Sequence, residues 1–256
     1  LPGTTSIAKK GTPSDKKEIG FLTDPYLFEG YAWYAKEITL DKDSKNKNIY
    51  LHLERTRLTR VWVNDVEVGC RDSLTTPHHY DLTPYIKYGQ ENVIAVRIDN
   101  DWNYKERATG TKYQWSNKNF NANYGGIPKN VWLHVTDRLY QTLPLYSNLK
   151  TTGVYIYAED IRVKSRKAII HAESEIRNEY NRDKQVSYQV ELIDRDGTSI
   201  QTFEGTKAVV KPGETITLKA ASEVDNLHFW SWGYGYLYTV KTSLWVDGRK
   251  VDEVAT

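Results

Sequence analysis

The sequence predicts an all-β chain folded as two β-sandwich domains, and three observations point there. Tyr and Trp are abundant, 19 and 8 in 256 residues, and they recur with Val and Thr in short alternating runs that suit half-buried pleated surfaces. Such runs return at roughly 10-residue intervals with turn residues between them, the spacing of a sandwich rather than of helices. The length accommodates two cores of ordinary domain size, about 100–150 residues each.

The alternating segments of the first half are residues 32–40, 49–53, 61–63, 66–68, 92–98 and 130–135. In one of them Ile94, Val96 and Ile98 alternate with Ala95, Arg97 and Asp99, so one face is apolar and the other largely polar. The second half continues with 154–157, 168–176, 185–193, 208–210, 215–218 and 236–244, in the style of an immunoglobulin-like sandwich. Asn64-Asp65, Asp196-Gly197 and Asp247-Gly248 read as hairpin turns, because these pairs tolerate positive φ at both centres of a type I′ turn. A proline-bearing segment around Pro144 separates the two strand-rich blocks, and the domains are expected at 1–142 and 143–256.

Composition excludes several functions. Thirty-five basic residues against 33 acidic ones leave a net charge of +2, with the signs interspersed, so no field recruits nucleic acid. Lys9-Lys10 and Lys16-Lys17 lie among Gly, Thr, Pro, Ser and Asp and read as solvated loop. No apolar run approaches the roughly 18 residues of a membrane span. Cys70 is the only cysteine, so it forms no intrachain disulfide or thiolate metal site, and it reads as a small buried thiol. His78 and His79 are neighbours on an expected strand, point to opposite faces and cannot share a metal. No G-x-S-x-G elbow occurs. Neither metal nor cofactor is expected.

Several motifs, in order, carry a resemblance. Arg60-Val61-Trp62-Val63-Asn64 is similar to an R-V-x-V-N hairpin, residues 77–82 to a strand ending in D-[IL]-T, and residues 91–100 to E-N-x-[IL]-x-V-R-x-D-N. Gly30-Tyr31-Ala32-Trp33-Tyr34 precedes them, and Tyr124-Gly125-Gly126-Ile127 with Val131-Trp132-Leu133 closes the block. Leu237-Tyr238-Thr239-Val240 and Asp247-Gly248 follow near the far end. Together these resemble the start of family 2 glycoside hydrolases, the β-galactosidase and β-glucuronidase group. The resemblance implies a galactose-binding-like jelly-roll β-sandwich followed by an immunoglobulin-like β-sandwich. The family's W-S-P-x-x-P-x-L-Y stretch reads here, from Trp230 to Tyr238, without either proline, so assignment to β-galactosidase in particular does not follow.

Members of that family are retaining enzymes whose two carboxylates stand about 5–5.5 Å apart. In the family both lie in a (β/α)₈ domain, a fold of about 250 residues for which this chain has no room. The resemblance therefore implies a non-catalytic front portion, without a catalytic residue of its own. Its implied partners are a carbohydrate substrate and the missing barrel of the same chain, in a periplasmic or secreted polysaccharide-degrading enzyme. Asn178-Glu179 mimics the family's acid/base pair but reads as a strand end or turn. A stand-alone carbohydrate-binding or adhesion module is the rival reading. A reading frame continuing several hundred residues past Thr256 would separate the two.

Sugar recognition needs aromatic faces for C–H surfaces and amide or carboxylate groups for hydroxyls. Residues 101–126, the longest stretch without strand periodicity, hold that combination. The candidates are Asp101, Trp102, Trp115, Asn119, Asn121, Asn123 and Tyr124. In related enzymes the loop before the G-G-I close reaches the sugar, which by position favours the three asparagines. The bland alternative is that the aromatics only pack the loop. A second cluster, residues 229–236, reads as a strand placing Trp230 and Trp232 on one face as core or interdomain contacts.

Overall fold

The computed structural model describes residues 2–13, 25–73, 76–101, 125–143 and 149–256. They form two compact units, Leu1–Val135 and Thr136–Thr256. No helix among the described residues is long and apolar enough to cross a membrane.

The first unit is built on β1 (Tyr31–Thr39), β2 (Asn48–Leu53), β3 (Leu58–Val63), β4 (Val66–Arg71), β5 (His78–Asp81), β6 (Glu91–Asp99) and β7 (Trp132–Thr136). Strands β1, β6, β3 and β4 form one sheet in that order, and β7, β2 and β5 form the other. The alternation of β6 is realised: Ile94, Val96 and Ile98 are buried with Val61 and Val63 of β3. They share one core with Ile49, Leu51 and Leu53 of β2 and Tyr80 of β5. Each side chain so buried stabilises by about 1.5–3 kcal/mol, which holds the two sheets face to face. This is the expected sandwich.

Asn64 and Asp65 both take positive φ, 49° and 68°, as the type I′ turn between β3 and β4 requires. The Asn64 side chain accepts from Val93 N at 3.1 Å and donates to Asn92 Oδ1 at 2.8 Å. Buried Asn92 in turn accepts from Lys87 N and donates to the carbonyls of Lys87 and Gln90, at 2.7, 2.9 and 3.0 Å. Two motif asparagines thus lock a hairpin to the turn that feeds β6. Cys70 lies within β4 and is half-buried, more open than the buried thiol expected, because it sits on an edge strand.

The second unit contains β8 (Leu139–Gln141), β9 (Val154–Arg162), β10 (Lys167–Asn178), β11 (Lys184–Ile193), β12 (Ser199–Val210), β13 (Thr215–Val224), β14 (Thr239–Val246) and β15 (Arg249–Ala255). β10 pairs with β13 along one edge and with β9 and then β8 along the other. The facing sheet runs β12-β11-β14-β15. Ala172, Ile176 and Leu218 of the first sheet share a core with Val186, Tyr188, Val190, Leu192, Val240 and Leu244 of the second. A buried polar group crosses this core: Gln141 Oε1 accepts from Ser174 Oγ at 2.9 Å and Thr242 Oγ1 at 2.6 Å. Its Nε2 donates to Thr242 O at 3.0 Å and Asp252 Oδ2 at 3.2 Å.

Three further details depart from the sequence expectations. The expected boundary leaves residues 139–141 with the first domain, yet they hydrogen-bond to β10 and fall in the second unit. Asp196-Gly197 does form a hairpin, but only Gly197 has positive φ, 90°, and the bonds Gly197 N to Asp194 O and Asp194 N to Thr198 O make a wider turn. The wider loop lets the β11–β12 hairpin close on one left-handed residue. Trp230 and Trp232 are 67% and 96% exposed, not core. Residues 231–234 turn back on themselves through Gly233 at φ 75°, so no strand alternation exists there.

Candidate functional site

The expected sugar loop is best described by what holds its ends. β6 delivers Asp99 and Asn100, 3% and 1% exposed, to the start of the loop. Asn100 Oδ1 accepts from Gly30 N at 3.0 Å, and its Nδ2 donates to Phe28 O at 2.7 Å. Asp101 N then donates to Asp99 Oδ1 at 2.9 Å, a local side-chain bond at the point where β6 ends.

The returning end is fastened to the N-terminal segment. Thr5 N donates to Gly125 O at 3.0 Å, and Gly126–Ile127 pairs antiparallel with Gly3–Thr4. The Tyr34 hydroxyl of β1 donates to Gly3 O at 2.6 Å; burial pushes this phenol up, keeping it protonated as a donor. Both glycines are there for space. A Cβ on Gly125 would meet Thr5 Oγ1 at 2.6 Å, Asn100 Nδ2 at 3.0 Å and the Phe28 ring at 3.2 Å. Of the predicted contacts, Asp101 is half-buried at this base. Trp102, Trp115, Asn119, Asn121, Asn123 and Tyr124 lie outside the described residues.

Two further groups carry no local signature that singles them out in the sequence. On the outer face of the four-stranded sheet, exposed Trp33 of β1 lies 5.1 Å from Trp62 of β3, and the Arg97 guanidinium sits 4.3 Å over the Tyr31 ring. Such a row offers stacking faces beside a cation. The only signal for it is phase, since Trp33, Trp62 and Arg97 occupy the polar phase of their strands.

The second group is histidine. His52 on β2 is the register partner of His79 on β5, and His134 lies on β7, the other neighbour of β2. One ring nitrogen from each falls within 4.8 Å of the others, and His52 Nδ1 is 2.8 Å from His79 Nε2. His78 points the opposite way, towards Thr59 Oγ1 at 2.6 Å and the carbonyl of Ser73 at 2.7 Å, as alternation along a strand requires. Testing only the adjacent pair His78-His79 misses the cluster because its members meet across strands.

The Asn178-Glu179 pair is structural. Buried Asn178 donates from Nδ2 to the carbonyls of Arg182 and Val210, and Glu179 accepts from Arg177 Nε at 3.0 Å and the Tyr140 hydroxyl at 3.2 Å. Both residues close the end of β10.

Comparison with known proteins adds the following. The family description "Glycosyl hydrolases family 2, sugar binding domain" matches residues 22–137, and "Glycosyl hydrolases family 2" matches residues 154–256. A beta-glucuronidase of Formosa agariphila is 33% identical over 226 residues, which are 88% of this chain and 23% of the relative. A beta-galactosidase of Bacteroides ovatus is 24% identical over 228 residues, 89% and 24% of the respective lengths. A solved beta-glucuronidase structure of family 2 superposes with a TM-score of 0.79 at 30% identity, over 90% of this chain and 24% of its own. The chain therefore spans about a quarter of the length of these relatives. Two successive matches to one family, falling on the two sandwiches in order, establish that the chain belongs to glycoside hydrolase family 2.

Proposed function

We propose that this chain is the non-catalytic front portion of a retaining glycoside hydrolase acting on β-glucuronides or β-galactosides in a periplasmic or secreted setting. The observation that carries this reading is the tandem family match, combined with relatives about four times as long. The two sandwiches support a (β/α)₈ domain that holds both carboxylates, and the loop of residues 101–126 supplies contacts to the sugar. Asp101, Trp102, Trp115, Asn119, Asn121, Asn123 and Tyr124 are the residues proposed to line it. The base described above favours this role, because a loop that must place amides against hydroxyls needs both ends held.

Two experiments test the reading. Purified chain 1–256 should show no turnover of aryl β-glucuronides or β-galactosides, and measurable turnover would overturn it. In the enzyme expressed from the whole reading frame, replacing Asn119, Asn121 and Asn123 together by Ala should lower kcat/KM at least about tenfold, or about 1.4 kcal/mol. Unchanged kcat/KM would remove the loop from the substrate site.

A further inference from the structure

We propose that His52, His79 and His134 form a three-histidine site for a borderline divalent transition-metal ion, Zn²⁺ above all, which clips the three strands of the β7-β2-β5 sheet together. The three residues come from three adjacent strands, and one nitrogen of each converges within 4.8 Å. Imidazole-only sets select zinc, copper and nickel rather than magnesium or calcium, which demand oxygen.

His134 Nε2 is buried and has no hydrogen-bond partner among the described residues, a cost that a metal bond at the ring would repay in part.

Geometry defines what loading must do. Nitrogens around tetrahedral zinc stand about 3.3 Å apart, given bonds of about 2.0–2.1 Å. The 2.8 Å His52–His79 bond must therefore open slightly, and the His134 nitrogen, within 4.8 Å of the other two, must come to the same spacing by ring rotation. The one proton shared in that bond moves to the far nitrogen of its own ring, so each donor lone pair faces the metal and no net proton is released. Three protein ligands leave a fourth position for water, as in open zinc sites. His52 and His134 are only half-buried, which leaves an entry path.

The test uses chain 1–256 freed of metal with EDTA, titrated with Zn²⁺ by calorimetry and with Co²⁺ by visible absorption. One equivalent should bind, with tetrahedral Co²⁺ bands and a higher Tm. His52→Ala and His134→Ala should each weaken binding more than about 100-fold, beyond what loss of a supporting contact alone causes. His228→Ala, at a separate histidine of the second unit, should leave it unchanged. Absence of saturable binding, or binding that survives both substitutions, overturns the proposal. If either variant fails to fold, X-ray absorption of the Co²⁺-loaded wild type decides: three imidazoles sustain the site and fewer refute it.

Discussion

Gly126→Ala should be among the most damaging single-methyl changes in the first sandwich. Gly126 sits at φ 89°, where an L-residue costs about 1–2 kcal/mol. The new Cβ would fall on the Tyr34 hydroxyl and 2.7 Å from Gly3 O, so the ring or the N-terminal strand must yield, an overpacking cost of about 1–3 kcal/mol. Yielding also breaks the 2.6 Å Tyr34–Gly3 bond, worth about 1 kcal/mol net. These effects overlap, and the expected loss is about 3–5 kcal/mol. Urea unfolding followed by circular dichroism reads the total, and hydrogen exchange at the Thr5 amide, which bonds to Gly125 O, reads the loop base locally. Gly30→Ala is the control: its φ is also positive, 124°, but a methyl added there would meet nothing within 4 Å, so only about 1–2 kcal/mol of backbone strain is expected. If Gly126→Ala costs no more than Gly30→Ala, the steric argument for the loop base is wrong.

Three other outcomes are expected. Asn100→Ala removes the acceptor for Gly30 N and the donor to Phe28 O, and should cost about 2–4 kcal/mol in urea unfolding, accelerating Thr5 exchange as well. Gln141→Ala removes the acceptor shared by Ser174 and Thr242 and one of the two donors to Asp252, which keeps the bond from the residue 141 amide, and should cost about 2–4 kcal/mol; a loss under about 1 kcal/mol would show that the network is incidental. Burial pushes the Tyr188 phenol up to about 12, offset in part by bonds to Ser174 and Thr242, whereas in the unfolded chain it ionises near about 10. Its neutral form is thus favoured by folding, so its own contribution to stability is complete below about pH 10 and is lost at about 1.4 kcal/mol per unit as pH rises towards about 12, on top of the losses from Tyr80 and Tyr180, whose phenols burial also raises. Tyr188→Phe should make the alkaline limb shallower by about 1.4 kcal/mol per unit, and an unchanged slope would assign the decline to the other tyrosines.

Much of the fold is legible in the sequence because strand physics is local. The alternation in residues 92–98 becomes the buried row Ile94, Val96 and Ile98 of β6, and Asn64-Asp65 and Asp247-Gly248 take the positive φ their chemistry allows. Misreadings arise where a single backbone choice resets the pattern. Gly233 bends residues 231–234 into a turn, so Trp230 and Trp232 never alternate, and strand pairing rather than composition assigns residues 139–141 to the second unit. The histidine cluster is illegible for a related reason: residues 52, 79 and 134 become neighbours only through the order β7-β2-β5, which no local pattern encodes. The sugar-contact candidates, Asp101 included, rest on residue chemistry and position along the chain.

The paired anchoring at Asn100 and Gly125 has an evolutionary side. Thr5, Gly30, Phe28 and Tyr34 hold the two ends from outside the loop, so none of the contacts described for this anchoring draws on residues 102–124. Doubling the length of such an insert adds only about 0.6 kcal/mol of closure entropy. A segment of different length or sequence should therefore graft between Asp101 and Gly125 without loss of the fold, and on the sugar-contacting role proposed for it such an exchange would be the step that changes substrate preference.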